Sequence, residues 1–372
     1  MVGMIRRVHK WHFLHLLSTC LVLSGIMVCW DKLSVIPYHY LGLGPSFKIN
    51  SWTISREEAC KFSDHHYLIN HKDKCESDNV LLLLFVKSSP QNFARRQGVR
   101  LTWGNESYIE SELGVSVKVL FVLGVHSQPE SRRLIQSQLY QEDQKYHDLI
   151  QQSFIDSFHN LTTKLLLQFN WAHTHCSLAQ FLMSTDDDMF IHMPNLVHYL
   201  QQVNQVGARD FWVGRVFINS GPVRYKSNKY YVSPQLYPWV TYPAYTGGAA
   251  YVVSRDVASR IHQASLTLNA SIHIDDVFMG ICALVIGVTP EAHDFFSGER
   301  KSPYHPCIYK QMITSHGHET DLQELWKKAT SPEVQNVDSG FTGKLYCSLT
   351  KLRLLCSPFN LNTYPCKPST IF

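Results

Sequence analysis

Hydrophobic and polar positions divide the chain into three stretches. From Trp11 to Trp30 no Asp, Glu, Lys or Arg interrupts the apolar run, and Arg6, Arg7 and Lys10 precede it. A helix of that length spans ~30 Å, the thickness of a bilayer's hydrocarbon core. The run is longer than the apolar segment of a cleaved signal peptide, and Val28-Cys29-Trp30 is a poor small-residue cleavage site. Residues 11–30 are therefore expected to be a signal anchor, with 1–10 as a cytoplasmic tail and everything after Asp31 on the far side of the membrane. Trp11 and Trp30 fall where interfacial aromatics belong, and His12 and His15 lie near one end, where polar groups can reach the interface.

Residues 31–78 mix Gly, Pro, Ser, His and charge with weak periodicity, which predicts a stem. Beyond it, the apolar run Val80–Val86 and the mainly apolar segments Val117–Leu123, Leu149–Ile155, Phe181–Ser184, Phe211–Val216 and Ala249–Val253 predict buried strands. Between them, Leu161, Leu165, Phe169 and Ala172, and then Leu196, Leu200 and Val203, recur at helical spacing. Strands alternating with helices predict an α/β domain over 79–372 with a mostly parallel sheet and helices on both faces. Ligands in such sheets bind outside the carboxyl ends of the strands.

One of those ends carries Asp186, Asp187 and Asp188. Carboxylates this close stay ionised together where a cation or several hydrogen bonds offset their repulsion, and their hard oxygens suit Mg2+ or Mn2+. A solvated loop, or caps on the helix that Pro194 starts, would give the same residues. A second acidic pair, Asp275-Asp276, precedes Val277-Phe278-Met279-Gly280 and reads as the opening of a helix, where a carboxylate remains ionised and can serve as a general base or as a cap. Between the two acidic clusters lies Tyr242-Pro243-Ala244-Tyr245-Thr246-Gly247-Gly248-Ala249-Ala250-Tyr251. Its paired glycines permit close approach to a ligand or a turn into the next strand, and its tyrosines can face sugar rings or the core.

A net charge of +4 without a dense Lys/Arg stripe argues against a dedicated nucleic-acid binder. If the body is extracytoplasmic, Asn105-Glu106-Ser107, Asn160-Leu161-Thr162 and Asn269-Ala270-Ser271 become glycosylation acceptors. Of ten cysteines, Cys20 and Cys29 fall in the apolar run, and disulfides are the default for the other eight in an oxidising compartment. The segment Lys351-Leu352-Arg353-Leu354-Leu355-Cys356 suits a covering element tied down by disulfides or a bilayer-facing one.

Blocks in a fixed order carry a resemblance. Arg96 and Arg100 with Thr102-Trp103-Gly104, Phe121-Val122-Leu123-Gly124, Glu142-Asp143, Asp156-Ser157 and Lys164 come first. The aspartate triplet, the Tyr-Pro-x-Tyr-x-x-Gly segment and Asp-Asp-Val-x-x-Gly follow. Together they resemble the luminal β-1,3-glycosyltransferases of glycosyltransferase family 31, from about Asn79 to Gly317. The segments Tyr67–Lys72, Ile274–Gly280 and Tyr304–Tyr309 resemble more narrowly the branch that adds N-acetylglucosamine to lactosylceramide.

That resemblance implies a GT-A fold, a UDP-N-acetylglucosamine donor, Mn2+ with Mg2+ as substitute, inversion at the anomeric carbon, and a single-pass Golgi membrane protein that associates with itself or with other glycosyltransferases. Carried over by position, Asp188 is the principal metal carboxylate. Asp186 and Asp187 lie near the nucleoside or metal, Asp276 is the base for the acceptor's 3-hydroxyl, and Arg96, Arg100, Trp103, Lys164, Gly247 and Gly248 belong to the donor site. Many relatives carry Glu at the position of Asp275, which leaves its role open. His316 is preferred to His318 as a further metal ligand. The rival readings are a β-1,3-galactosyltransferase of the same family and a luminal binding module without catalysis. A two-carboxylate hydrolase fits less well, since it would need a positioned acid and no metal.

Overall fold

Every residue of the strand Val80–Lys87 is buried, because it lies between two neighbouring strands with helices above and below. The computed structural model describes residues 15–22, 52–61, 65–76, 79–297, 301–355 and 369–370. The chain divides into two units, Met1–Lys48 and Ile49–Phe372. In the first, residues 15–22 are helical and exposed, and the rest of the expected anchor lies outside the described residues. Among the described residues no helix is long and apolar enough to cross a membrane.

The second unit is built on a sheet whose main strands are β1 Tyr67–Ile69, β2 Val80–Lys87, β3 Ser116–Val125, β4 Leu149–Ile155 and β5 Phe181–Asp186. The short β6 Phe190–Ile191 is followed by β7 Trp212–Ile218, β8 Tyr245–Ser254, β9 Glu291–Ala292 and β10 Thr314–Ser315. Strands β4, β3, β2 and β5 are parallel neighbours, as the alternation of strands and helices predicts. The sheet as a whole is mixed. β7 and β8 form a long hairpin, so β8 runs back antiparallel between β5 and β7, and β1 adds antiparallel to β4. A hairpin return needs no crossover helix, which is why a parallel register is lost there.

Alternation along β2 serves two faces. Leu82, Leu84 and Val86 join a core with Trp103, Ile109, Leu139, Leu196 and Leu200, whereas Phe85 meets Trp171 edge-on at 5.9 Å. Trp171 belongs to the helix Leu161–His175, so helices cover both faces.

The ordered body begins before residue 79, where the sequence pattern places its start. Trp52 is buried against Tyr237, β1 pairs in the sheet, and Cys75 is bonded to Cys176. A second disulfide joins Cys307 to Cys347. Contrary to the expectation for all eight cysteines, Cys282 is a free thiol buried on the inner side of the helix Asp275–Ile286, where it packs as a small apolar group. Cys356 and Cys366 lie outside the described residues.

Candidate active site

The three aspartates that end β5 have three different surroundings. Asp186 stands beside Lys87 in the parallel register of β5 and β2, and Lys87 Nζ lies 3.1 Å from its carboxylate. Asp187 turns inward and accepts hydrogen bonds from Ser88 Oγ at 2.6 Å, Asn92 Nδ2 at 2.9 Å and Arg95 at 3.1 Å. It therefore ties the loop after β2 to the end of β5. Asp188 faces His316: its Oδ1 is buried without a hydrogen-bond partner among the described residues, and His316 Nε2 stands 3.5 Å away. Burial raises the pKa of Asp188, but His316 beside it and the charge of Arg95 outweigh that and hold the carboxyl below its ordinary range.

Pairing of β6 with β10, Phe190 opposite Ser315 and Ile191 opposite Thr314, brings His316 to the triplet. His318 is differently placed. Its N–H donates to the Asp188 carbonyl at 2.7 Å, while its ring is buried against Ser315 Oγ at 2.8 Å and Asp321 at 3.2 Å. One ligand atom each from Asp186, Asp188 and His316 lies within 4.8 Å of the others. Two hard carboxylates and an imidazole, with one oxygen unpartnered, form a donor set that fits Mn2+ or Mg2+.

The second acidic pair opens the helix Asp275–Ile286. Gly280 lets this helix lie against the start of β8, since a Cβ there would stand 2.8 Å from Tyr245 Cβ and 3.0 Å from the Ala244 carbonyl oxygen. Gly247 and Gly248 lie inside β8, not in a turn before it. At Gly248 a Cβ would stand 3.4 Å from Asp275 Oδ1 and 3.6 Å from Lys87 Nζ. The bare backbone instead bonds both sides: Gly248 N–H donates to Asp276 Oδ2 at 3.2 Å, and its carbonyl accepts from Lys87 Nζ at 2.8 Å. Lys87 Nζ also lies 3.1 Å from Asp275 Oδ2. This buried ammonium joins the two acidic clusters. Burial would lower its pKa, but Asp186 and Asp275 outweigh that and hold it above its ordinary range.

Asp276 Oδ1 accepts from the Val277 N–H at 2.8 Å. Its pKa is pushed up to about 7, first by burial and then by the charge of Asp275, with Lys87 and the two backbone N–H donors partly offsetting both. Asp186 is raised as well, chiefly by burial, with Lys87 opposing. Asp186, Asp188, His316, Lys87, Asp275 and Asp276 all line one cavity of about 780 Å3.

The sequence model of the galactosyltransferase family matches residues 94–294, the span that contains both acidic clusters. The chain belongs to this family. It is 55% identical over 369 residues to zebrafish (Danio rerio) lactosylceramide 1,3-N-acetyl-beta-D-glucosaminyltransferase A, covering 97% of each chain. Identity to the human lactosylceramide 1,3-N-acetyl-beta-D-glucosaminyltransferase is 52% over 373 residues, 98% of each chain, and to the rat enzyme of that name 53% over 97% of each.

The other residues that the family resemblance assigns to the donor site lie behind it. Arg96 is fully buried and donates to Glu142, Ser88 Oγ and the carbonyls of Ser89 and Pro90. Arg100 pairs with Glu142 and Asp148, and Trp103 Nε1 donates to the Met189 carbonyl at 2.9 Å. Lys164 bonds both oxygens of Asp156 and the Ser88 carbonyl. None of these four side chains lines the cavity. Arg96 and Lys164 fix the loop between β2 and the helix Phe93–Arg100, Trp103 holds the backbone just after the aspartate triplet, and Gly247 and Gly248 do line the cavity.

Of the acceptor triplets, Asn105 caps the helix Glu106–Leu113 by accepting from the Tyr108 N–H, Asn160 Nδ2 donates to the Ile155 carbonyl, and Asn269 Oδ1 accepts from the Ser271 N–H. All three asparagines are half-buried. Lys87 is the site residue that the sequence reading missed. Its one sequence signal is a lone cation closing the apolar run from Val80 to Val86.

Proposed function

We propose that the protein is a β-1,3-N-acetylglucosaminyltransferase of GT-A type that transfers N-acetylglucosamine from UDP-N-acetylglucosamine to the terminal galactose of lactosylceramide with inversion. The observation that carries this reading is one cavity holding two acidic clusters of different character, one with an unpartnered carboxylate oxygen facing a histidine, the other with a carboxylate poised to take a proton. The names of the relatives at 52–55% identity supply the acceptor and the sugar. A Golgi location, with residues 11–30 as the anchor and the body luminal, completes the proposal.

Asp188, Asp186 and His316 would hold Mn2+, or Mg2+ in its place, and that ion would neutralise charge on the departing diphosphate. Asp276 accepts the proton of the acceptor's 3-hydroxyl as that oxygen bonds to the anomeric carbon and the bond from carbon to the UDP oxygen breaks. The proton ends on Asp276 and the electron pair on UDP. A carboxylate with a pKa near the working pH serves such a transfer well. Lys87 holds Asp275 and the Gly248 backbone in place, and Gly248 in turn holds Asp276. Arg96 and Lys164 act by holding the loop after β2, Trp103 by holding the Met189 carbonyl beside the triplet, and Arg100 by bracing Glu142, which Arg96 also holds.

The test uses the purified full chain with Mn2+, lactosylceramide and either UDP-N-acetylglucosamine or UDP-galactose, followed by linkage analysis of the product. The expected product is a β-1,3-linked N-acetylglucosaminyl lactosylceramide. A galactosyl product would instead favour the rival transferase, and donor binding without any product would favour a binding module.

A further inference from the structure

The long connection between β7 and β8, residues 219–244, forms one lip of the cavity: Ser220, Gly221, Val223, Lys229, Tyr230 and Tyr242 line it. From Phe211 to Ser254 the chain contains no Asp or Glu, while Arg224, Lys226 and Lys229 fall within this loop among several aromatics. The inner side of the loop is pinned. The Arg224 guanidinium donates to the carbonyls of Val232 at 2.7 Å, Tyr237 at 2.6 Å and Trp239 at 3.2 Å, and Tyr237 and Trp239 are buried. The loop also carries large apolar groups into solvent: Tyr225 is 79% exposed and Val240 69%, and the lip residue Tyr230 42%. Lys226 and Lys229 are exposed beside them.

A loop held rigidly by its own core does not expose such side chains for want of anywhere to fold them. Tyrosine and lysine are side chains that favour the interface of a bilayer, tyrosine for its amphipathic ring and lysine for anionic headgroups. We propose that the 219–244 loop is a membrane-facing rim that rests on the bilayer surface beside an embedded glycolipid and admits its headgroup to the cavity. This rests on the reading that the acceptor is a lipid. The exposed loop meets the cavity lip at Lys229 and Tyr230, and its exposed charges, Lys226 and Lys229, are both positive, which matches an anionic phospholipid surface as its occupant.

The experiment compares two acceptors for the full chain reconstituted in vesicles of phosphatidylcholine and phosphatidylserine. One is lactosylceramide in the same vesicles, and the other is a water-soluble lactoside with a short aglycone. Tyr225→Ser combined with Val240→Ser leaves the cavity-lining residues intact. It is expected to lower kcat/KM for the embedded acceptor by roughly tenfold, through KM, and to leave the soluble acceptor unchanged. Lys226→Glu is expected to do the same, with its effect reduced at high salt. Equal loss with both acceptors, or no loss with the embedded one, would overturn the rim. Wild-type chain transferring to neither acceptor would remove the proposed function and the rim with it, an outcome separable from the first two because the unsubstituted chain already gives it.

Discussion

Lys87 Nζ stands 3.1 Å from Asp275 Oδ2 while lying equally close to Asp186, so one buried ammonium bridges the end of β5 and the start of the helix Asp275–Ile286. Two carboxylates that face the same cavity are thereby held together before any ligand arrives. Replacing the ammonium by an apolar group of similar length leaves those charges uncompensated.

Lys87→Met is therefore expected to destabilise the fold by about 3–5 kcal/mol, the usual cost of breaking a buried pair from one side. Urea unfolding measures it. Since Lys87 also lowers the pKa of Asp276, the acid limb of the activity profile should move to higher pH in the surviving enzyme.

Asp276 predicts the shape of that limb. As the proposed base it would work deprotonated, so kcat should rise with pH up to about 7 and level off above it. Asp276→Asn should depress kcat by roughly two to four orders of magnitude and abolish the limb. Stability runs the other way. Because the folded pKa is raised, the native state binds more protons than the unfolded one between the ordinary carboxylate range and about 7, and this group's contribution to stability falls as pH rises through that window. Comparing unfolding midpoints of the native chain and Asp276→Asn across the window isolates the effect, and a flat difference would refute it.

Metal dependence is expected from the placement of Asp188 and His316. Chelation should abolish transfer and added Mn2+ restore it. Asp188→Asn and His316→Ala should each weaken Mn2+ binding, read by electron paramagnetic resonance titration, by roughly tenfold or more. His318→Ala should weaken it less and destabilise the fold more, because its buried ring holds Ser315 and Asp321.

Gly280→Ala tests the packing that aims the acidic pair. The added methyl has no room against Tyr245 Cβ and the Ala244 carbonyl oxygen, and overpacking of this kind costs about 1–3 kcal/mol. Activity should fall further than stability alone explains, since the helix that carries Asp275 and Asp276 must shift. Transfer rates measured well below the unfolding temperature separate the two effects.

Reduction of Cys75–Cys176 releases a loop closed over a separation of 101 residues. Chain-entropy reasoning puts the loss at about 4–5 kcal/mol. Serine replacements at both positions, compared by thermal unfolding, check it without reductant acting on the Cys307–Cys347 bond.

The sequence by itself determined the parallel heart of the sheet and the two acidic clusters. The run Val80–Val86 is apolar along its whole length, the pattern of a strand covered on both faces, and strand-like segments alternate with helical spacing after it. Three adjacent aspartates at the end of Phe181-Leu182-Met183 were equally legible, because strand ends and carboxylates are local facts. Tertiary structure alone decided which aspartate faces what: Asp187 is consumed by Ser88, Asn92 and Arg95, while Asp188 meets a histidine that β10 delivers from far along the chain. It also made Lys87 the bridge, through a strand register and a helix approach to which Gly248 and Gly280 contribute by their lack of a side chain. Contacts between residues about 190 apart depend on how elements pack, and no local pattern encodes that.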